Sequence, residues 1–180
     1  MSELVSESSA APRVLVAGIG NVFLGDDGFG VEVAQRLLAR GGLPDGVEVA
    51  DVGIRGVHLA YQLLDGWDGL LLVDAMHRDG PPGTLYRLEH TYDGPPRRAG
   101  IQVDGHDMSP DVVLGLLREL AVATDVDRPV GRVLVVGCEP ATTAEGIGLS
   151  PPVAAAVEPA LDVVDELLDL VLETKEGAHP

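Results

Sequence analysis

The sequence predicts an α/β fold: a three-layer α/β/α sandwich around a mostly parallel sheet of about five strands, one of them antiparallel, with helices on both faces. Three observations predict it. Short apolar runs alternate along the chain with segments of helical spacing. The runs at 70–73 and 132–136 are apolar almost throughout, as strands covered on both faces are. A glycine-rich turn joins the first run to the first helical segment.

Residues 13–19 read as the first strand, and Val31, Ala34, Leu37 and Leu38 recur at helical spacing behind it. Residues 47–52 form a second strand and 57–64 a second helix. The run 70–73 ends in Asp74 and forms a third strand. Residues 84–88 alternate and read as an outer strand. The connection before them, 79–83, is too short for a parallel crossover, so this strand is expected to run antiparallel. Ser109 and Pro110 open a third helix, with Ser as N-cap and Pro in the first turn. Residues 132–136 form the last strand. Ser150 and Pro151 open the final helical region, whose apolar positions include Val153, Val157, Leu161, Val164, Leu168 and Val171. Pro159 interrupts that pattern and predicts a kink or two helical pieces.

A chain of 180 residues suits one domain, here expected at 13–173 between a loose N-terminus (1–12) and a tail (174–180). At that size roughly 70% of the unfolded surface is buried on folding, so neither a disulfide nor a structural metal is required. A composition of 46% hydrophobic and 23% charged residues excludes a wholly disordered chain. The net charge of −17 works against binding nucleic acid or an anionic membrane. An aromatic content of 3% leaves few platforms for stacking bases. No apolar run approaches the roughly 20 residues that span a bilayer, and residues 1–12 lack the cationic start of a secretory signal. A cytoplasmic monomer is the resulting expectation. Cys138 is the single cysteine, which excludes an intrachain disulfide and a cysteine-rich zinc site.

Sheets of this kind bind ligands outside the carboxyl ends of their strands. Three segments converge there: the loop after the first strand, the strand end at Asp74, and the long Pro-, Gly- and Arg-containing connection 90–107. The first of these reads Gly18-Ile19-Gly20-Asn21-Val22-Phe23-Leu24-Gly25-Asp26-Asp27-Gly28-Phe29-Gly30. It is not a dinucleotide fingerprint, because Phe23 stands where G-x-G-x-x-G needs its last glycine. It is not a P-loop either. Gly20 and Gly25 have the spacing, but Asp26 and Asp27 replace the Lys and Ser/Thr, and two carboxylates repel phosphate. Adjacent acids in a glycine-rich turn suit a hard or borderline cation. Either Asp also suits capping of the helix that follows. For the pair, one is expected to cap and the other to face the cleft.

This loop resembles the G-x-G-N-x-x-x-x-D-[E/D]-G-x-G signature of the nickel–iron hydrogenase maturation endopeptidases. Three further blocks follow in order. Val73-Asp74-Ala75 with Pro82-Gly83-Thr84 is similar to the family's V-D-A…P-G-T block. His106-Asp107-Met108-Ser109 is similar to its H-x-x-S block. Gly137-Cys138-Glu139-Pro140 with Leu149-Ser150-Pro151 is similar to its G-x-E-P…L-S segment. The match runs from about residue 14 to about residue 167. Two departures stand out. The acidic metal residue of the first block is often Glu in the family, whereas Asp27 is one methylene shorter. Gly53-Ile54-Arg55-Gly56 stands where the family has G-T-x-G, so the Thr hydroxyl is lost.

The resemblance implies metal contacts at Asp27, Asp74 and His106, and an activity: removal of a C-terminal extension from a hydrogenase large-subunit precursor after nickel insertion. The nickel would belong to the substrate, so that only loaded precursor is cut, and another divalent metal can take the site in isolated protein. Two carboxylates and an imidazole suit a divalent first-row metal and leave positions open. The bland reading of each residue stays open beside this: Asp74 as a loop hydrogen-bond acceptor, His106 as a surface histidine. His58, His77, His90 and His179 are assigned no role. The nucleophile is unassigned. Cys138 follows an apolar strand and reads as buried, no Ser sits in a G-x-S-x-G elbow, and H-E-x-x-H is absent. The alternative function is a metal-dependent binding module that recognises loaded precursor without cutting it. Arg97 and Arg98, in the 90–107 connection, are expected to touch the precursor.

Overall fold

In the computed structural model the described residues are 10–90, 92 and 109–176. Five strands form one sheet: β1 (Val14–Ile19), β2 (Val47–Gly53), β3 (Trp67–Ala75), β4 (Leu85–His90) and β5 (Val130–Cys138). Their spatial order is β2-β1-β3-β5-β4. All neighbours are parallel except β4, which runs antiparallel to β5 at the sheet edge. The α-helices are α1 (Phe29–Arg40), α2 (Gly56–Leu63), α3 (Pro110–Ala123) and α4 (Pro151–Glu176). A short 3-10 turn, Gly25–Gly28, precedes α1 and was not legible in the sequence pattern.

The two-residue period of a strand sorts its side chains into two cores. Val14 and Val16 of β1 pack with Leu71, Val73, Leu134 and Val136 beneath α1 and α4. Leu15, Ala17 and Ile19 join Leu70, Leu72, Val133 and Val135 beneath α2 and α3. Helices on both faces are therefore why β1 and β3 are apolar without alternation. The chain leaves β1 in one direction toward β2 and then returns across β1 to β3. The carboxyl ends of β1 and β3 are thus the switch point of the sheet, where such folds place ligands.

The antiparallel strand follows from its connection. β5 lies between β3 and β4, so residues 76–84 cross the end of β5 before β4 turns back along its far side. That crossing is pinned by main-chain bonds. Met76 N–H donates to the Cys138 carbonyl at 2.8 Å, Gly83 N–H to the Glu139 carbonyl at 2.8 Å, and Glu139 N–H to the Thr84 carbonyl at 2.9 Å.

Two helix readings change. Pro159 does not divide the last helix: α4 is continuous over 26 residues and extends to Glu176, past the point where the sequence places a tail. Pro159 lies on the exposed face, where a carbonyl deprived of its helical donor still meets water. The buried stripe of Val153, Val157, Leu161, Val164 and Leu168 holds the helix on the sheet across that point. Ser109 does stand at the N-cap of α3 with Pro110 in the first turn, but its side chain makes no capping bond. Among the described residues, no helix is long and apolar enough to cross a membrane.

Candidate functional site

Two close approaches shape the loop after β1. A Cβ at Gly30 would collide with the carbonyl oxygens of Val73 and Ile19. Only glycine lets the first turn of α1 lie directly on the ends of β1 and β3. Gly20 has φ +132°, and a Cβ there would strike the Asp27 carbonyl. The glycines therefore fold the loop back upon itself and bring the residues before α1 over the end of β3.

Asp26 and Asp27 then diverge. Asp26 is fully buried. Its Oδ2 accepts from Ala141 N–H (2.8 Å), Thr142 N–H (3.1 Å) and the Ser150 hydroxyl (2.8 Å), and its Oδ1 accepts from Ser150 N–H (2.6 Å). Burial alone would raise its pKa, but these hydrogen bonds, Ser150 foremost, overcome that and hold the carboxyl below its ordinary range. Asp26 thus ties the β1–α1 loop to the loop between β5 and α4. It does not cap α1, whose N-cap is Gly28. Asp27 accepts Asn21 N–H at 2.8 Å on Oδ2 and lines a cleft of about 510 Å³. The expectation that one acid faces the cleft holds. The expected cap is instead a bond to another loop.

Asp74 is the penultimate residue of β3, paired in register with Gly137. It is 5% exposed and lines the same cleft as Asp27. The structure therefore brings two of the three predicted site residues to one wall. The third, His106, lies outside the described residues, as do Arg97, Arg98 and His179. Ser109, three residues on from His106 in the sequence, is part of the cleft wall. Among the described residues, no group of three or more His, Cys, Asp or Glu side chains forms a metal cluster. Asp27 and Asp74 alone supply hard oxygen donors that fit a divalent cation but do not complete its coordination.

Sequence reasoning missed several neighbours. His77 and His90 both line the cleft, and His90 ends β4 rather than lying in a loop. Glu139 is 3% exposed and accepts from Arg78 N–H and the Tyr86 hydroxyl, each at 2.7 Å on Oε2. The Tyr86 bond chiefly lowers the Glu139 pKa, while the same bond and burial raise that of Tyr86. The available signal for His77 was its place three residues beyond Asp74, where the chain leaves the ligand edge. Ile54, at the position of the missing Thr, also lines the cleft and is 59% exposed. Cys138 is buried, and burial followed by the charges of Asp26 and Glu139 pushes its thiol up to about 12. It is therefore no thiolate nucleophile at neutral pH.

Fold and site together define a small doubly wound α/β protein whose switch point carries paired carboxylates and histidines, the equipment of polar hydrolytic chemistry. The chain belongs to the hydrogenase maturation protease family, whose model matches residues 31–166. It is 32% identical over 153 residues to the hydrogenase 2 maturation protease of Escherichia coli, covering 84% of this chain and 88% of that one. It is 30% identical over 162 residues to the hydrogenase expression/formation protein HupD of Bradyrhizobium diazoefficiens, covering 89% and 80%. Among solved structures, the hydrogenase maturating endopeptidase HybD from E. coli superposes with a TM-score of 0.68 at 29% identity, covering 87% of this chain and 92% of that one.

Proposed function

We propose that this protease is an endopeptidase that removes the C-terminal extension of a nickel–iron hydrogenase large-subunit precursor once nickel has been inserted. The observation that carries this reading is the convergence of Asp27, from the loop after β1, and Asp74, from the end of β3, on one cleft at the switch point. In this reading the nickel arrives with the precursor. Asp27, Asp74 and His106 bind it as catalytic residues of the site, and the ion polarises the scissile carbonyl or activates water.

The surroundings suit a polypeptide substrate. A second depression of about 440 Å³ shares Gly20, Asn21 and Ile54 with the cleft. Its wall includes Phe23, 64% exposed, and Val22. Apolar side chains beside a polar cleft are what an extended segment on one side of a cleaved bond would need. The precursor is accordingly the partner assigned here.

The test uses precursor prepared with and without nickel, incubated with the purified protein and read by intact mass. Shortening of the loaded form alone is the expected result. Nickel-dependent association without any mass change would replace the protease reading with that of a binding module. Cleavage of both forms would remove nickel from the account.

A further inference from the structure

We propose that His77 is the proton-transfer residue of this cleft and that Glu139 is its positioning residue. The inference rests on the protease reading above and adds to it a group that neither the paired carboxylates nor His106 supplies.

The geometry begins with a carboxylate built into the loop that carries the imidazole. Glu139 directly follows β5 and is buried. Its Oε2 is occupied by Arg78 N–H and the Tyr86 hydroxyl, and Gly80 N–H is a further backbone donor to the carboxylate. Residues 76–80 therefore wrap around this side chain, and Asp79 is held at φ +59°, a conformation that a non-glycine residue adopts at a cost. The other oxygen, Oε1, lies 3.5 Å from Nδ1 of His77. An imidazole whose Nδ1 faces a fixed carboxylate has its Nε2 directed away from that carboxylate. The His77 side chain is 68% exposed and forms part of the cleft wall. The arrangement is that of a base and its orienting acid. The other titratable groups on the cleft wall are Asp27, Asp74, Arg78, His90 and Asp111. His90 also has a carboxylate neighbour, Asp111 at 3.8 Å, but that Asp is 85% exposed. Of the two histidines, His77 is the one with a buried, immobilised partner.

The step balances with water as the only co-reactant. His77 takes a proton from water as the water oxygen bonds to the scissile carbonyl carbon. The C–N bond then breaks, its electron pair stays on nitrogen, and the proton passes from His77 to that nitrogen. The products are a carboxyl and an amine, and the imidazole is regenerated.

The experiment compares wild type, His77→Gln, His77→Ala, His90→Gln and Glu139→Gln on nickel-loaded precursor, measuring kcat, KM and the pH profile. His77→Gln is expected to lower kcat by roughly 10²–10⁴-fold with KM unchanged, and added imidazole to restore part of the rate to His77→Ala. Glu139→Gln is expected to lower kcat by about 10- to 100-fold and to move the pH profile, which a purely structural role would not do. His77 is exposed, so folding of its variants is checked simply by their melting curves and precursor binding. Equal rates for His77→Gln and wild type, or a loss confined to His90→Gln, would overturn the assignment while leaving the protease reading intact. Failure of wild type to cut loaded precursor would remove both.

Discussion

Asp26 and Asp27 are neighbours in sequence and opposites in the fold. Asp26 faces inward and spends both oxygens on four donors of the loop between β5 and α4. Asp27 faces the cleft that it shares with Asp74. The same division recurs across the sheet, where buried Glu139 fixes the 76–80 loop and His77 looks outward from it. Asp27 and His77 are thus each presented by a buried carboxylate next to them, in sequence or in space. The contrast teaches that the acids of this edge are two sets, one holding loops in place and one lining the cleft. Substitutions should separate the sets by what they damage.

The largest effect expected is on activity at the cleft. Asp27→Asn retains an oxygen for Asn21 N–H, so it should melt within about 2 °C of wild type. Its precursor cleavage should fall by at least roughly 10²-fold. Thermal melts beside a cleavage time course read both. A variant that cuts normally would place Asp27 with Asp26 as a structural acid.

Asp26→Ala should show the opposite profile. It leaves three part-buried N–H groups and a hydroxyl without their acceptor, which costs roughly 3–5 kcal/mol. For a chain of this size that lowers the melting temperature by about 10 °C, with chemical denaturation giving the free energy. A melt close to that of wild type would mean that the loop is held by something else.

Acid should weaken the loop-holding set. The carboxyl groups of Asp26 and Glu139 titrate lower in the folded state than their ordinary values of 3.8 and 4.5. Their contribution is therefore complete above those values and lost as pH falls through the lowered folded ones. Stability of wild type should drop below about pH 4.5, and Asp26→Asn should show a flatter acid limb in urea titrations. The smallest effect belongs to Cys138→Ala: at most about 1 kcal/mol of stability and unchanged cleavage, because its thiol stays protonated. Inactivation of native protein by an alkylating reagent at neutral pH would contradict this.

The sheet was legible because its signals are local and repeated. Continuous apolar strands and the helical spacing from Val31 to Leu37 follow from packing on both faces, and the short 79–83 connection follows from the return of the chain along β5. Pro159 misled because its effect depends on which face of the helix it occupies, and that is set by the sheet beneath. In the site, Asp27 and Asp74 were legible as acids at a strand end and in a glycine-rich turn. The role of Asp26 was not, since its partners Ala141, Thr142 and Ser150 lie more than a hundred residues away. Glu139 and His77 escaped for a similar reason. They meet only because β5 is inserted between β3 and β4, an order that no local pattern announces.

The shared cleft of Asp27 and Asp74 is most directly tested by X-ray absorption at the nickel edge of loaded precursor, alone and bound to His77→Gln protein, which is expected to bind without rapid turnover. The account predicts additional oxygen or nitrogen ligands around nickel on binding, and their loss when Asp27→Ala and Asp74→Ala are added. A nickel environment identical in free and bound precursor would contradict it.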